Sequence, residues 1–439
     1  MSDSEGYPSS RRAWAMVALL TFAYVVSFVD RYILSLLVDP IKADLGLTDF
    51  QMGLLLGPAF GIFYATMGLP LGLLADRSRR TWIVAAGITL WSAATAFSGF
   101  AKNFTQMFIA RLSVGVGEAT LSPCAMSLIA DSFPEERRGK PIAMYGSAIS
   151  VGSALAALLG AAVLTWAKAS GGVSLPVVGT IAPWQLAFLT VGLPGVLLAI
   201  PFLLMREPRR RSVSQDGSRS HLGHMFRHVA RHGLTYACFM PIFCFMTIVA
   251  YSHGWLAVTF DRTYGWPVEK YALYNGLTLI VLGPLSVMFA GWLSDRLTLR
   301  GVADAPMRIA VTGFFIGAPP AMVATLFDNG LIAFIILASA NIGLAFTSSV
   351  GVTALLKIVP PRIRAQTVAL YYMSISLTGL FLGPTLVGLF NDTLFRDIED
   401  GVRYSVAVIP MIFGLPMMCL APWTLKLYRK ALEKRTIDE

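Results

Sequence analysis

Charge is what this chain has least of. Only 14% of its 439 residues are Asp, Glu, Lys or Arg, while 55% are hydrophobic and mean hydropathy is +0.64. A soluble protein of this size would carry about a quarter charged residues, so a water-soluble enzyme is excluded. Cysteine is scarce, and Cys124, Cys238, Cys244 and Cys419 all fall inside apolar stretches at no metal-binding spacing. Each is expected to be a small buried hydrophobe, and no metal or cofactor is expected. No Gly-x-x-x-x-Gly-Lys-Ser/Thr loop occurs, which leaves ATP drive without support. There is no Ser–His–Asp set, no two-carboxylate metal cluster and no His-rich intramembrane segment, which argues against a lipid-modifying enzyme. The lack of sizeable soluble regions offers little to a receptor or scaffold. The formal charge is +10, yet the basic residues form no stripe interleaved with aromatics, so nucleic acid is not an expected partner.

What remains is a polytopic, all-α membrane protein. Twelve apolar segments follow one another, the first near 13–38, the second near 50–74, the fourth near 104–130 and the last near 402–427. The first is too long for a signal peptide and lacks a small-residue cleavage site, so it is expected to stay as a helix. Most of the 35 Lys and Arg residues sit in the two tails and the even-numbered connections. The other side holds only Lys42, Lys102, Lys168, Arg262, Lys270, Arg396 and Arg403. By the positive-inside rule both termini are cytoplasmic. Short loops and compact tails suggest a bacterial inner-membrane protein, and a monomer is expected.

One polar connection is long. Residues 205–233 carry seven arginines and divide the chain into an N-terminal six-helix bundle (1–205), a cytoplasmic linker (206–233) and a C-terminal six-helix bundle (234–439). His221, His224, His228 and His232 recur every four residues or so, which suits a metal site or the polar face of a helix lying on the membrane surface. A repeat follows the same division. Gly72-Leu-Leu-Ala-Asp76-Arg77 closes the second segment and Gly291-Trp-Leu-Ser-Asp295-Arg296 closes the eighth. Two related bundles rocking about a central site are therefore expected, with a cavity lined chiefly by helices one, four, seven and ten.

Inside the first half lie charges that a bilayer tolerates only for a reason. Arg111 and Glu118 fall within the fourth segment, and with Gly115 and Ser122 they share one helix face. A charge near the bilayer centre costs at least about 2.5 kcal/mol, so this face must look into protein or water. The first segment adds Asp30 and Arg31. Adjacent residues project about 100° apart. Asp30 is therefore expected to face Arg111 and Glu118, with Arg31 at the edge of the half-bundle. A static Asp30–Arg111 bridge that only packs helices is the plainer alternative. If the face is functional, Glu118 and Asp30 carry protons, and Arg111 has two candidate counterions, the carboxylates or an anionic head group.

The Gly72-x-x-x-Asp76-Arg77 turn followed by Arg80 resembles the signature loop of the major facilitator superfamily, with Arg79 standing where that pattern has glycine. Physically, Gly72 would admit close backbone approach, Asp76 would sit at a helix N-terminus and Arg80 would reach Asp131. Gly72, Asp76, Arg77, Arg80 and Asp131 are thus candidate gating residues. Asp30-Arg31-Tyr32, Arg111-Leu-Ser-Val-Gly115-Val-Gly117-Glu118-Ala119, Asp131-Ser-Phe-Pro134 and Val151-Gly152-Ser153-Ala154-Leu155 resemble the spinster family within that superfamily. The resemblance implies a proton-coupled transporter of lysophospholipid- or sphingolipid-like anions. It places proton coupling on Asp30, Glu118 and Arg111, and substrate contact on Arg111, Glu118 and Arg31. A drug exporter or other organic-anion carrier of the superfamily is the alternative. In the second half His253, Asn275, Asn341, Thr347, Ser348, Tyr371 and Tyr372 are polar residues within segments, each explicable as an interhelical hydrogen bond.

Overall fold

The computed structural model describes residues 7–134, 137–171, 173–175, 179–210, 225, 227–360 and 363–438. It divides into two compact units. Unit 1 is Met1–Ser214 with Pro267–Ile280, and unit 2 is Gln215–Trp266 with Val281–Glu439. Eleven helices among the described residues are long and apolar enough to cross a membrane. The apolar segment at 50–74 supplies the twelfth crossing in pieces, giving an all-α fold with six crossings before the long connection and six after it.

In unit 1, α1 (Ser10–Leu36) leads into the short α2 (Val38–Leu45). The second crossing is then α3 (Asp49–Leu56), α4 (Pro58–Thr66) and α5 (Gly68–Arg77). Thr48 and Gln51 close a capping box at its start. Pro58 has no N–H to continue the ladder, so the helix restarts there. α6 (Arg80–Ser98), α7 (Phe104–Glu118), α8 (Leu121–Ser132), α9 (Gly139–Ala169) and α10 (Pro183–Leu204) complete the run. A small antiparallel hairpin, β1 (Val173–Leu175) with β2 (Gly179–Ile181), joins the last two.

Unit 2 begins with α11 (Gly233–Ser252) and α12 (Leu256–Tyr264), separated by a 3-10 turn at His253–Trp255. Then come α13 (Val268–Leu299), α14 (Ala305–Val323), α15 (Gly330–Ile358), α16 (Arg364–Asp392) and α17 (Gly401–Asp438). The opening turn of α13 belongs to unit 1 and the rest of that helix to unit 2.

Lipid tails are as apolar as leucine, so helices in a membrane associate through close packing at small residues. Both units use this device at equivalent places. A Cβ on Gly87 of α6 would lie 2.7 Å from the Gly117 carbonyl of α7. In unit 2 a Cβ on Gly343 of α15 would lie 2.2 Å from the Gly317 nitrogen of α14. Large apolar side chains are left facing outward, among them Leu204, Met288 and Trp423. Thr347 behaves as the plainer expectation has it, donating to Ala310 O at 3.0 Å across α14 and α15.

Beside α14, unit 2 is tied by Asp304, which accepts from Arg308 Nε at 2.8 Å and Arg429 Nε at 2.5 Å. Burial alone would raise this carboxyl, but the two arginines outweigh it and hold Asp304 below its ordinary value. A depressed carboxyl contributes stability above its unfolded pKa of about 3.9, lost as pH falls through the folded value. Asp304→Asn should therefore lower the melting temperature of detergent-solubilised protein at pH 7. The gap to the parent should close as the pH is taken below about 3.9, read by thermal denaturation.

Candidate functional site

In unit 1 the face expected on the fourth segment is present, and it meets the charged pair of the first. α7 ends at Glu118 because Pro123, four residues after Ala119, cannot donate to that carbonyl. The chain turns at Ala119–Thr120, where Thr120 Oγ1 and N donate to Gly117 O at 2.7 and 3.2 Å. α8 then resumes the crossing, so Glu118 sits at a break within the membrane span Phe104–Ser132.

Gly115 decides what lies opposite. A Cβ there would be 2.3 Å from the Phe60 carbonyl, so any side chain would drive α4 away from α7. The contact brings in Phe60 and Tyr64, whose rings stack at 4.9 Å and 26°. Arg31 Nε donates to Glu118 Oε2 at 2.5 Å, and its Nη2 pairs with the same oxygen. The guanidinium carbon lies 4.5 Å from the Phe60 ring centre, 4.4 Å from Tyr64 and 5.2 Å from Phe28. Such cation–π contacts are worth about 0.5–1 kcal/mol when exposed and about 2 when desolvated. The Glu118 side chain is 1% exposed and that of Arg31 16%. Arg31 is thus the more exposed member of the pair.

The expectation that set Arg31 at the boundary of the half-bundle gave it no partner, and the structure supplies Glu118. The 100° argument constrains Cβ directions, whereas the long arginine stem carries its guanidinium round to Glu118. The Asp30–Arg111 bridge is not formed. Arg111 Nη1 donates to the main-chain oxygen of Asp30 at 3.3 Å, and no arginine closes a hydrogen bond on the Asp30 carboxyl oxygens. Asp30 is 1% exposed, with Glu118, Arg111 and Arg31 as its charged neighbours. Two carboxyls and two guanidinia are therefore gathered, but only one pair is closed by hydrogen bonds. Ser122, the last member of the face, shares a hydrogen bond with Tyr145 at 3.1 Å, and Tyr145 stacks on Tyr24 at 5.0 Å. Asn275 donates to Tyr32 at 3.2 Å within the same unit.

The candidate gating residues form a second cluster. Arg80 is 2% exposed and donates through Nη1 to Asp131 Oδ2 at 2.5 Å and to Ser127 at 2.7 Å. Its Nε reaches Glu207 at 2.8 Å, and Arg210 donates to Ala75 O at 2.7 Å and to Ser78 O. The start of the linker is thereby stitched to the turn between the second and third crossings. Glu207, between Arg206 and Arg209, gave no signal of this role in the sequence. Gly72 needs no close approach, since a Cβ there would meet Pro123 at an ordinary 4.0 Å. Arg79 has φ −67°, so the turn does not require the glycine of the family pattern. The Asp76 side chain, His221 and His224 lie outside the described residues. His228 and His232 have ring centres 4.5 Å apart, and burial followed by the charge of His232 lowers the His228 pKa.

A family model described as Major Facilitator Superfamily matches residues 20–384. The chain belongs to that superfamily. It is 29% identical over 395 residues to an "MFS-type efflux pump" of Mycolicibacterium smegmatis, covering 88% of this chain and 86% of that one. It is 24% identical over 402 residues to "Protein spinster" of Drosophila melanogaster, covering 89% of this chain and 64% of the other. Among solved structures, a bacterial homologue of the human lysosomal transporter spinster, inward-facing and unoccupied, superposes with TM-score 0.78 at 25% identity. That match covers 97% of this chain and 98% of the other. The protein is a multi-pass, spinster-like transporter of the major facilitator fold.

Proposed function

We propose that this transporter is proton-coupled and moves a lipid-like or amphiphilic organic anion, of lysophospholipid or sphingolipid type, by alternating access. The observation that carries the proposal is the Arg31 guanidinium, bonded to Glu118 on one side and laid on Phe60 and Tyr64 on the other. An anionic head group competes with Glu118 for Arg31. Aromatic faces beside it suit the apolar body of the same ligand. A carboxylate deprived of its cation in an apolar bundle is costly, so Glu118 takes a proton when Arg31 turns to the anion. Asp30, whose carboxyl is closed by no arginine, is the second proton carrier, and Arg111 the cation that follows its charge. Arg80 and Asp131, with Asp76 and Arg77, work as the gate on the cytoplasmic side. The setting is a bacterial inner membrane with both termini cytoplasmic, and the working unit is a monomer.

A drug or organic-anion exporter is the second possibility, favoured by the likeness to the efflux pump of Mycolicibacterium smegmatis. Proteoliposomes offered a panel of lysophospholipids, sphingoid phosphates and drugs separate the two. A pH gradient should accelerate movement of the lipid anions by about tenfold, the scale of a 1.4 kcal/mol coupling. Acceleration of drugs alone would favour the exporter, and indifference of every compound to the gradient would remove proton coupling.

A further inference from the structure

The hairpin of α6 and α7 encloses a slit that the transport site does not use. The two helices touch where Gly87 meets Gly117 and are joined again through residues 99–103, so the space between is closed at both ends. Its floor is alanine, including Ala93, Ala94 and Ala110, and its rim is Phe97 and Ile109, 68% and 56% exposed. The cavity volume is ≈ 530 Å³, within the range of small-ligand pockets of about 300–1,000 Å³. Both helices are membrane spans, so hydrocarbon rather than water borders the opening. At the mouth the chain turns through Ala101-Lys102-Asn103. Lys102 is exposed there, and its main-chain N–H donates to Gln106 Oε1 at 2.8 Å, which leaves the Gln106 amide group as a further donor.

We propose that this slit is a binding site for a bilayer phospholipid, one acyl chain lying between α6 and α7 and the phosphate on Lys102. Small residues beneath a large-residue rim make a concave, narrow space. A single flexible chain fills such a space better than the convex face of another helix does. No acidic residue occurs between Ser98 and Gln106, so the charge of Lys102 at the mouth is complementary to a phosphate. A chain seated there packs on Ala110, next to Arg111, and braces the hairpin that carries the charged face.

The test uses full-length protein in proteoliposomes containing a phosphatidylglycerol with a photoactivatable diazirine on one acyl chain. Cross-links should concentrate in residues 90–113 and be competed away by unlabelled phosphatidylglycerol. Labelling of the lipid-facing Leu197 and Leu204 should not saturate. Ala93→Trp should abolish labelling of 90–113 and leave that of α10 unchanged, and Lys102→Glu should weaken it. The competition arm uses unmodified protein, so a poorly folding variant does not blunt the test. Non-saturable labelling equal to that of α10 would overturn the proposal. So would cross-links joining two copies of the chain through 90–113, which would make the slit a self-association surface.

Discussion

Glu118→Gln should fold as the parent does and lose the response of transport to a proton gradient. Glutamine keeps an oxygen for the Arg31 Nε, so the bridge between α1 and α7 survives as an uncharged hydrogen bond. The stability loss should stay within about 1.5–3 kcal/mol, the worth of a hydrogen bond to a charged group. The functional loss should be much larger, because the variant resembles the protonated state permanently. Arg31 then keeps a charge that no carboxylate neutralises and that anions meet in every conformation, so exchange of substrate across the membrane persists while net movement against a gradient stops. Flux measured in proteoliposomes with and without a pH gradient reads both quantities. An undiminished gradient response would make Glu118 structural and move the proton site to Asp30. Arg111→Ala, by contrast, should weaken anionic substrates more than neutral ones without abolishing the gradient response.

The charged face was readable in the sequence because bilayers leave so little room for charge. Arg111, Gly115, Glu118 and Ser122 stand out in an apolar run, and helical spacing alone aligns them. The partners could not be read with the same certainty. Phe60 and Tyr64 are aromatic residues in an apolar helix, where core packing and cation contact look alike. Only the close approach of Gly115 to Phe60 makes them ligands of Arg31. Asp30 meets Arg111 and Glu118 as its position suggested, whereas the Arg31–Glu118 bond was missed because side-chain reach is not encoded in residue spacing. The second crossing was counted correctly, yet Gly57-Pro58 within it was the visible signal for a break. Arg80 and Asp131 were paired correctly, whereas Glu207 and Arg210 lie in a linker whose composition says only that it is basic.

Arg80→Ala should be the most destabilising change at the gate. Arg80 and Asp131 are both nearly fully buried, and the substitution removes the guanidinium that Asp131 and Glu207 share. Breaking a buried pair by removing one partner costs about 3–5 kcal/mol. A lysine should recover part of this, since it restores charge but not the fork that reaches Asp131, Ser127 and Glu207 together. Adding Asp131→Ala to Arg80→Ala should cost less than the sum of the two single changes, because the two side chains bond each other. Additive losses in melting temperature would show that the two side chains do not depend on each other.

The central claim is that an anion and Glu118 compete for Arg31, and it fixes the sign of a single measurement. Purified protein in weakly buffered detergent solution is mixed with a lysophospholipid or sphingoid phosphate, and pH is followed with an indicator dye. Binding of the anion should draw Arg31 away and cause uptake of protons from the medium. A neutral amphiphile should cause none, and Glu118→Gln should bind the anion without uptake. Anion binding that leaves the pH unchanged in the parent, or equal uptake by Glu118→Gln, would contradict the account.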